Sequence, residues 1–430
     1  MKSISKVLAL LLCFFTARGA SGTESQTDTV RITIQEAEGR FLKNNLQLLA
    51  ARLNIDAATA GITQARLWSN PNIAIEQNVY NQFTRRWFDV TGTGNTEVQI
   101  QQLFLLAGKR DKQVKLAQVN ADIAGQTFYD LLRALKLELR TDLFSAAYLQ
   151  QSLAFYDESI RTMSKTVAAM ESMYEKRSVL LSDVLRLKSL LFSLENERLT
   201  YVNQITGIQA SLQTLLHDTT GGHPYYLVKL PVDQVERADV GAVRLEDAIA
   251  IARERRPDYQ IARANVEYES TNLSLQKALA IPDLTVGGRW SRQGSYIPDY
   301  FGLTLSMDIP LFNRNQGNIT MSERVLEGNR LLRDNMKQTV EKEVLVAYQK
   351  ALAIDRLYRG FDKKFMGDYK SLVEGMLASY QKRNISLLEF TDFYESYRTS
   401  VVQWHQLQTD RAAAIEGLNY AIGAPLPGLE

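Results

Sequence analysis

The chain repeats itself, and this duplication limits its possible folds more than any other feature. Shifted by 211 positions, Thr33–Ile75 aligns without gaps on Arg244–Val286. Ala37 meets Ala248, Ala51-Arg52 meets Ala262-Arg263, Asn54 meets Asn265 and Pro71 meets Pro282. Farther along the offset becomes 206, and Met173–Asp183 lies on Ser379–Glu389. The lost residues fall after Ile75, where the second half has a shorter loop. We read residues 22–217 as a first structural repeat, 218–242 as a linking segment and 243–430 as a second repeat.

Each half runs through the same series of patterns. A helical pattern of about 36 residues comes first, Thr33–Trp68 and Arg244–Leu279. A proline then stops it, because proline cannot continue a helix and restricts the residue before it. Two alternating segments follow: Ile73–Asn81 and Glu97–Phe104, then Leu284–Ser291 and Tyr300–Ile309 in the second half. Period-two alternation of this length predicts strands with one apolar face. Apolar residues spaced by three and four then mark a helix of about 66 residues in each half, Asp111–Arg177 and Gly317–Arg383. Such a helix is about 100 Å long. After a Tyr-x-Lys-Arg turn a helix of about 35 residues returns, Ser182–Leu216 and Leu388–Ala421. A soluble coiled-coil rod would not need the paired prolines and alternating segments.

The N-terminus reads as an export signal over residues 1–21. Lys2 and Lys6 precede an apolar core from Val7 to Phe15, and small residues follow from Ala17 to Gly22. The core is too short to span a bilayer, and cleavage is expected between Gly19 and Gly22. Cys13 lies inside this segment, behind a Leu12 bulkier than a lipidation signal usually allows. It is the one cysteine, so disulfide frameworks and cysteine-based zinc sites are excluded. His217, His223 and His405 match no metal-ligand spacing, and no cofactor motif is present. The net charge of +2 gives no reason to expect nucleic acid as a partner. No Walker loop, G-x-S-x-G or H-E-x-x-H occurs, so an enzyme is not expected.

Strands of eight to ten residues are long enough to cross a bilayer when tilted. Four of them cannot close a barrel, for which about eight is the practical minimum. An open edge cannot face lipid either, since its backbone groups would find no partner there. The pattern therefore predicts that strands from several chains close one barrel. Tyr80, Phe83, Trp87, Phe88, Trp290, Tyr296, Tyr300 and Phe301 sit near the strand ends, as an interfacial aromatic belt would.

Over its mature length the chain resembles the TolC-like outer-membrane efflux proteins. Ile309-Pro310-Leu311-Phe312-Asn313-Arg314-Asn315-Gln316-Gly317 is similar to the strand-to-helix junction of the CzcC-like, heavy-metal branch. Gly108-Lys109-Arg110 resembles the first-repeat junction of that branch, although Gln102-Leu103-Phe104 lacks the proline many relatives carry there. Ser386–Phe390 and Leu418–Gly423 also fit family patterns. The resemblance implies a mainly α protein with a β-barrel, built as a homotrimer. Its four strands per chain would form a twelve-stranded outer-membrane barrel continued by a periplasmic helical tunnel. A mixed domain from Asp218–Ala242 and the chain ends would girdle the tunnel. It further implies residence in a Gram-negative outer membrane, a periplasmic adaptor and an RND-type inner-membrane pump as partners, and passive export. Heavy-metal cations are the implied cargo; organic compounds are the alternative, and a secreted scaffold or adhesin the rival class.

On this reading the two turns form the distal tip. Tyr174, Lys176, Arg177 and Leu181, with Tyr380, Lys382, Arg383 and Leu387, would offer the adaptor a repeated surface. The same turns also fit ordinary capping, with basic residues ending one helix and acidic ones starting the next. Asp183, Glu389 and Asp392 are the carboxylates available for a lumen gate.

Overall fold

The computed structural model describes residues 29–217, 224–230, 239–293, 296–382 and 384–426. The export signal with Cys13, His223 and Arg383 lie outside the described residues. Strand β1 (Thr29–Thr33) leads into α1 (Ile34–Asn44) and α2 (Leu46–Ala65), then β2 (Asn72–Gln77). The short β3 (Tyr80–Asn81) and β4 (Arg86–Trp87) precede β5 (Asn95–Phe104). Helices α3 (Lys109–Glu175) and α4 (Leu181–Leu216) complete the first half. Strand β6 (Tyr225–Lys229) and a 3₁₀ turn at Val240–Ala242 link the halves. The second half holds α5 (Leu245–Arg255), α6 (Pro257–Leu279), β7 (Leu284–Gln293), β8 (Ile297–Met307), α7 (Gln316–Gly360), α8 (Lys363–Gln381) and α9 (Leu387–Ile422). None of the described helices is long and apolar enough to cross a membrane.

The first helix of each half, expected to be continuous, is broken at equivalent positions, Asn45 and Arg256. Both residues are extended, with ψ near 120°. At the second break Pro257 forces the extended shape on Arg256. At the first, Asn45 caps α2 by accepting from the Leu48 amide at 3.1 Å, and its Nδ2 donates to the Leu215 carbonyl.

The second long helix also departs from expectation. Helix α3 runs unbroken for 67 residues, whereas its counterpart stops at Gly360 and restarts at Lys363. Phe361 is extended, and Asp362 caps the new helix by accepting from the Lys364 amide. Phe361 stacks on Trp404, and Trp404 stacks on Tyr358. Arg411, fully buried, lies over the Tyr358 ring and donates to Asp355 at 2.7 Å. The apolar spacing continues through this joint, which is why the sequence pattern does not mark it.

Three apolar clusters hold the helices. One joins α1, the middle of α3, the end of α4 and the parallel β1–β6 pair. Another joins α5, the middle of α7 and the end of α9. The third, at the far end, is shared by α3 and α4 with α8 and α9, so the two hairpins meet there.

His405 on α9 lies 2.8 Å from the Ser152 hydroxyl on α3, and burial pushes its pKa down to about 4. The unfolded chain therefore takes up this proton below pH 6.5, while the folded chain resists it until about pH 4. Stability should fall as the pH drops through that window, by about 1.5 kcal/mol per chain between pH 6.5 and 5. Guanidinium midpoints at the two pH values would check this, and the His405→Asn variant should lose most of the difference.

Candidate functional site

Strands β2, β5, β7 and β8 form one antiparallel sheet in that order. The register puts Ile73 opposite Ile100, Val98 opposite Trp290, Val286 opposite Leu305 and Trp290 opposite Phe301. Directly paired residues share a face. One face is thus a continuous apolar surface, with Ile73, Ile75, Phe301, Leu303 and Leu305 each more than three-fifths exposed in the single chain. The opposite face carries Gln99, Gln101, Glu97, Arg289, Ser291, Thr304 and Ser306. Arg289 and Glu97 pair across it at 3.7 Å. Gly287 is required there, since a Cβ would come within 2.7 Å of the Ile100 carbonyl. Apolar outside and polar inside is the arrangement of a wall between lipid and an aqueous lumen.

The helices repeat the strand order. α2 leads into β2, β5 into α3, α6 into β7 and β8 into α7; α2 packs on α3, α3 on α6 and α6 on α7. At both strand-to-helix junctions a left-handed residue precedes the helix, Gly108 (φ 65°), which follows a left-handed Ala107 (φ 57°), and Asn315 (φ 58°). Asparagine tolerates this conformation better than most side chains. Asn315 donates to the Gln276 carbonyl and side chain on α6, and Arg110 lies over the Trp68 ring at 4.0 Å. Pro310, Phe312, Asn313 and Arg314 form the turn before Asn315, while Gly317 sits inside α7.

Lys109 is the most buried residue of the junctions, at 2% exposure. Its ammonium donates to Asp283 Oδ1 and to the Ile281 carbonyl, each at 2.6 Å, and Asp283 also accepts from the Leu106 amide. This joint ties the first half to the second. Asp283 carries no sequence signal by itself; only its place after the repeated proline marks it.

Between β2 and β5 lies a loop built around one carboxylate. Asp89 is buried and accepts from the Thr84, Thr91 and Thr93 hydroxyls, the Thr91 amide and Asn81 Nδ2. These donors, Thr91 first, hold its pKa far below the usual carboxylate range. Phe83, Trp87 and Phe88 project from the loop into solvent.

At the distal end both turns close alike. The Ser178 amide donates to Met173 O and the Asn384 amide to Ser379 O, each bond spanning a helix end. The exposed residues nevertheless differ between the halves, against the expected repeated surface. Tyr174 and Leu181 are 42% and 48% exposed, whereas Tyr380 and Leu387 are 8% and 7%. Tyr380 stacks on Phe390, and burial with the nearby Asp183 carboxylate pushes its phenol up to about 12. Glu389 is a capping residue: it accepts from the Ser386 amide at 2.8 Å, which lowers its pKa. Leu180 stands where Ser386 stands in the second turn, so Asp183 has no such cap and lies half-buried. Asp392 is exposed on α9. An open cleft of about 770 Å³ between the turns is lined by Met170, Met173, Leu180, Asp183, Tyr380 and Leu387.

A family model described as outer membrane efflux protein matches residues 39–217 and again residues 248–424. The chain belongs to the outer membrane efflux protein family. It is 21% identical over 293 residues to the cobalt-zinc-cadmium resistance protein CzcC of Cupriavidus metallidurans, covering 67% of this chain and 65% of that protein, just under two thirds. The fold is similar to a membrane protein from Pseudomonas aeruginosa, with TM-score 0.75, 16% identity and coverage of 92% and 94% of the two chains. It is also similar to CusC, with TM-score 0.70, 17% identity and coverage of 93% and 94%. This efflux protein therefore sits in the outer membrane with its helices in the periplasm.

Loss of either partner of the Lys109 joint should destabilise the efflux protein unequally. Asp283→Ala strands a buried ammonium and is expected to cost about 3 kcal/mol. Lys109→Ala leaves a carboxylate that water still reaches, and should cost about half as much. Denaturant unfolding of the two variants in detergent gives the ranking.

Proposed function

We propose that three copies of this chain close one twelve-stranded barrel, and that the assembly is a passive export conduit for heavy-metal cations. The observation that carries the conduit is the sheet, apolar on one face and polar on the other, with the outer edges of β2 and β8 unpaired among the described residues. Four strands and four wall helices per chain supply a third of such a ring. The cargo reading rests on the likeness to CzcC, a cobalt-zinc-cadmium resistance protein. Energy comes from an RND-type inner-membrane pump, reached through a periplasmic adaptor.

The adaptor meets the distal turns in this proposal. Tyr174, Lys176, Arg177, Leu181 and Lys382 form its docking surface with Arg383, while Tyr380 and Leu387 shape the turns from inside. Asp183 and Asp392 are the gate carboxylates; Glu389 is engaged in its own helix cap.

A strain lacking the protein should become sensitive to cobalt, zinc and cadmium salts, with unchanged tolerance of detergents and dyes. The reverse pattern would assign organic cargo instead. Replacing Lys176 and Lys382 with Glu should weaken adaptor capture by about tenfold while trimers persist. Pull-down with the cognate adaptor and detergent electrophoresis read the two effects separately.

A further inference from the structure

The duplication carries information about the surface one copy turns toward the next. Within a chain the seam between the halves joins β5 to β7 and α3 to α6. β2 and α2 stand where β7 and α6 stand, 211 positions earlier, and β8 and α7 stand where β5 and α3 stand. In a closed ring the seam between copies thus repeats the seam within a copy, β8 and α7 meeting β2 and α2 of the next copy.

Transferring the Lys109 joint across this relation gives named residues. The first helical residue is Lys109 in α3 and Gln316 in α7, each directly after the left-handed residue. Ile281-Pro282-Asp283 corresponds to Asn70-Pro71-Asn72. Asn72 and Gln316 are exposed in the single chain, where Lys109 is buried. Ile309, Leu311 and Phe312 at one edge, and Leu67 at the other, are exposed apolar residues that a neighbour would cover.

We propose that the seam between copies is an amide joint, in which Gln316 exchanges its in-chain bonds to the Arg314 amide and the Phe312 carbonyl for Asn72 and the Asn70 carbonyl of the next copy. The ion pair of the internal seam is replaced there by neutral groups. The physical sense lies in assembly. A lone chain must carry this edge in water before it meets a second copy. Amides lose little when they leave water hydrogen-bonded to each other, whereas an ammonium or carboxylate buried ahead of its partner is heavily penalised. The internal seam forms within one chain and has no such interval.

This inference rests on the three-copy reading, and the test separates the two. Gln316→Cys and Asn72→Cys are combined in one chain and treated with a short bis-maleimide. The expected result is covalently linked trimers from the double variant and monomers from each single variant on denaturing electrophoresis. Native mass spectrometry of the untreated wild type reads the copy number independently. A monomer there overturns the three-copy reading; trimers with no cross-link in the double variant overturn the amide joint alone. A second arm installs the ion pair. Gln316→Lys with Asn72→Asp should give trimers that survive heating which dissociates both single variants, because only the pair restores the charge match. Independent, additive effects of the two substitutions would likewise overturn the joint.

Discussion

Backbone groups along the outer edges of β2 and β8 have no partner among the described residues of one chain, and hydrocarbon offers none. That deficit governs the architecture. A two-stranded or four-stranded sheet in water can leave an edge to solvent, but a sheet with an apolar outer face in lipid must close. The helices inherit the same requirement, since α2, α3, α6 and α7 stand in a row in the order of the strands they continue. The Lys109–Asp283 joint fixes that row where it passes from strand to helix, and the burial of the Lys109 ammonium makes the angle between the halves hard to change.

Much of this order is written in the sequence because duplication and periodicity are strong signals. The four strands are legible from alternation at Ile73/Ile75, Val98/Ile100 and Phe301–Met307, and the long helices from apolar spacing. Their interruptions are less legible. Pro257 marks one break plainly, and pseudo-symmetry then locates the other at Asn45, where a single capping asparagine does the work of a proline. The joint at Gly360–Asp362 is masked, because apolar spacing runs on through Phe361 and Phe365 across the local stop and start signals of Gly360 and the capping Asp362.

Site residues divide the same way. Gly108, Lys109 and Arg110 are visible as a junction motif, but the partner Asp283 and the carboxylate core of the loop at Asp89 depend on contacts that no local pattern announces. The distal turns show how far sequence equivalence can mislead. Tyr174 and Tyr380 align, yet one faces solvent and the other stacks on Phe390, because the second hairpin packs its turn inward against the first. Equivalent letters in a duplicated chain occupy equivalent backbone positions without sharing an environment. Ser386 and Leu180 make the same point for the carboxylates that follow them.

The joint in the second long helix gives the two halves different mechanics. A single unbroken rod of 67 residues resists flexure along its whole length. Its counterpart is two stiff bars meeting at a pivot clasped by aromatic rings. Force applied at the periplasmic end is carried through the first strut as a rigid push, and concentrates at one compliant point in the second. A cylinder walled by both kinds of strut in alternation has its elastic weak spots at one level, a third of the way up from the tip.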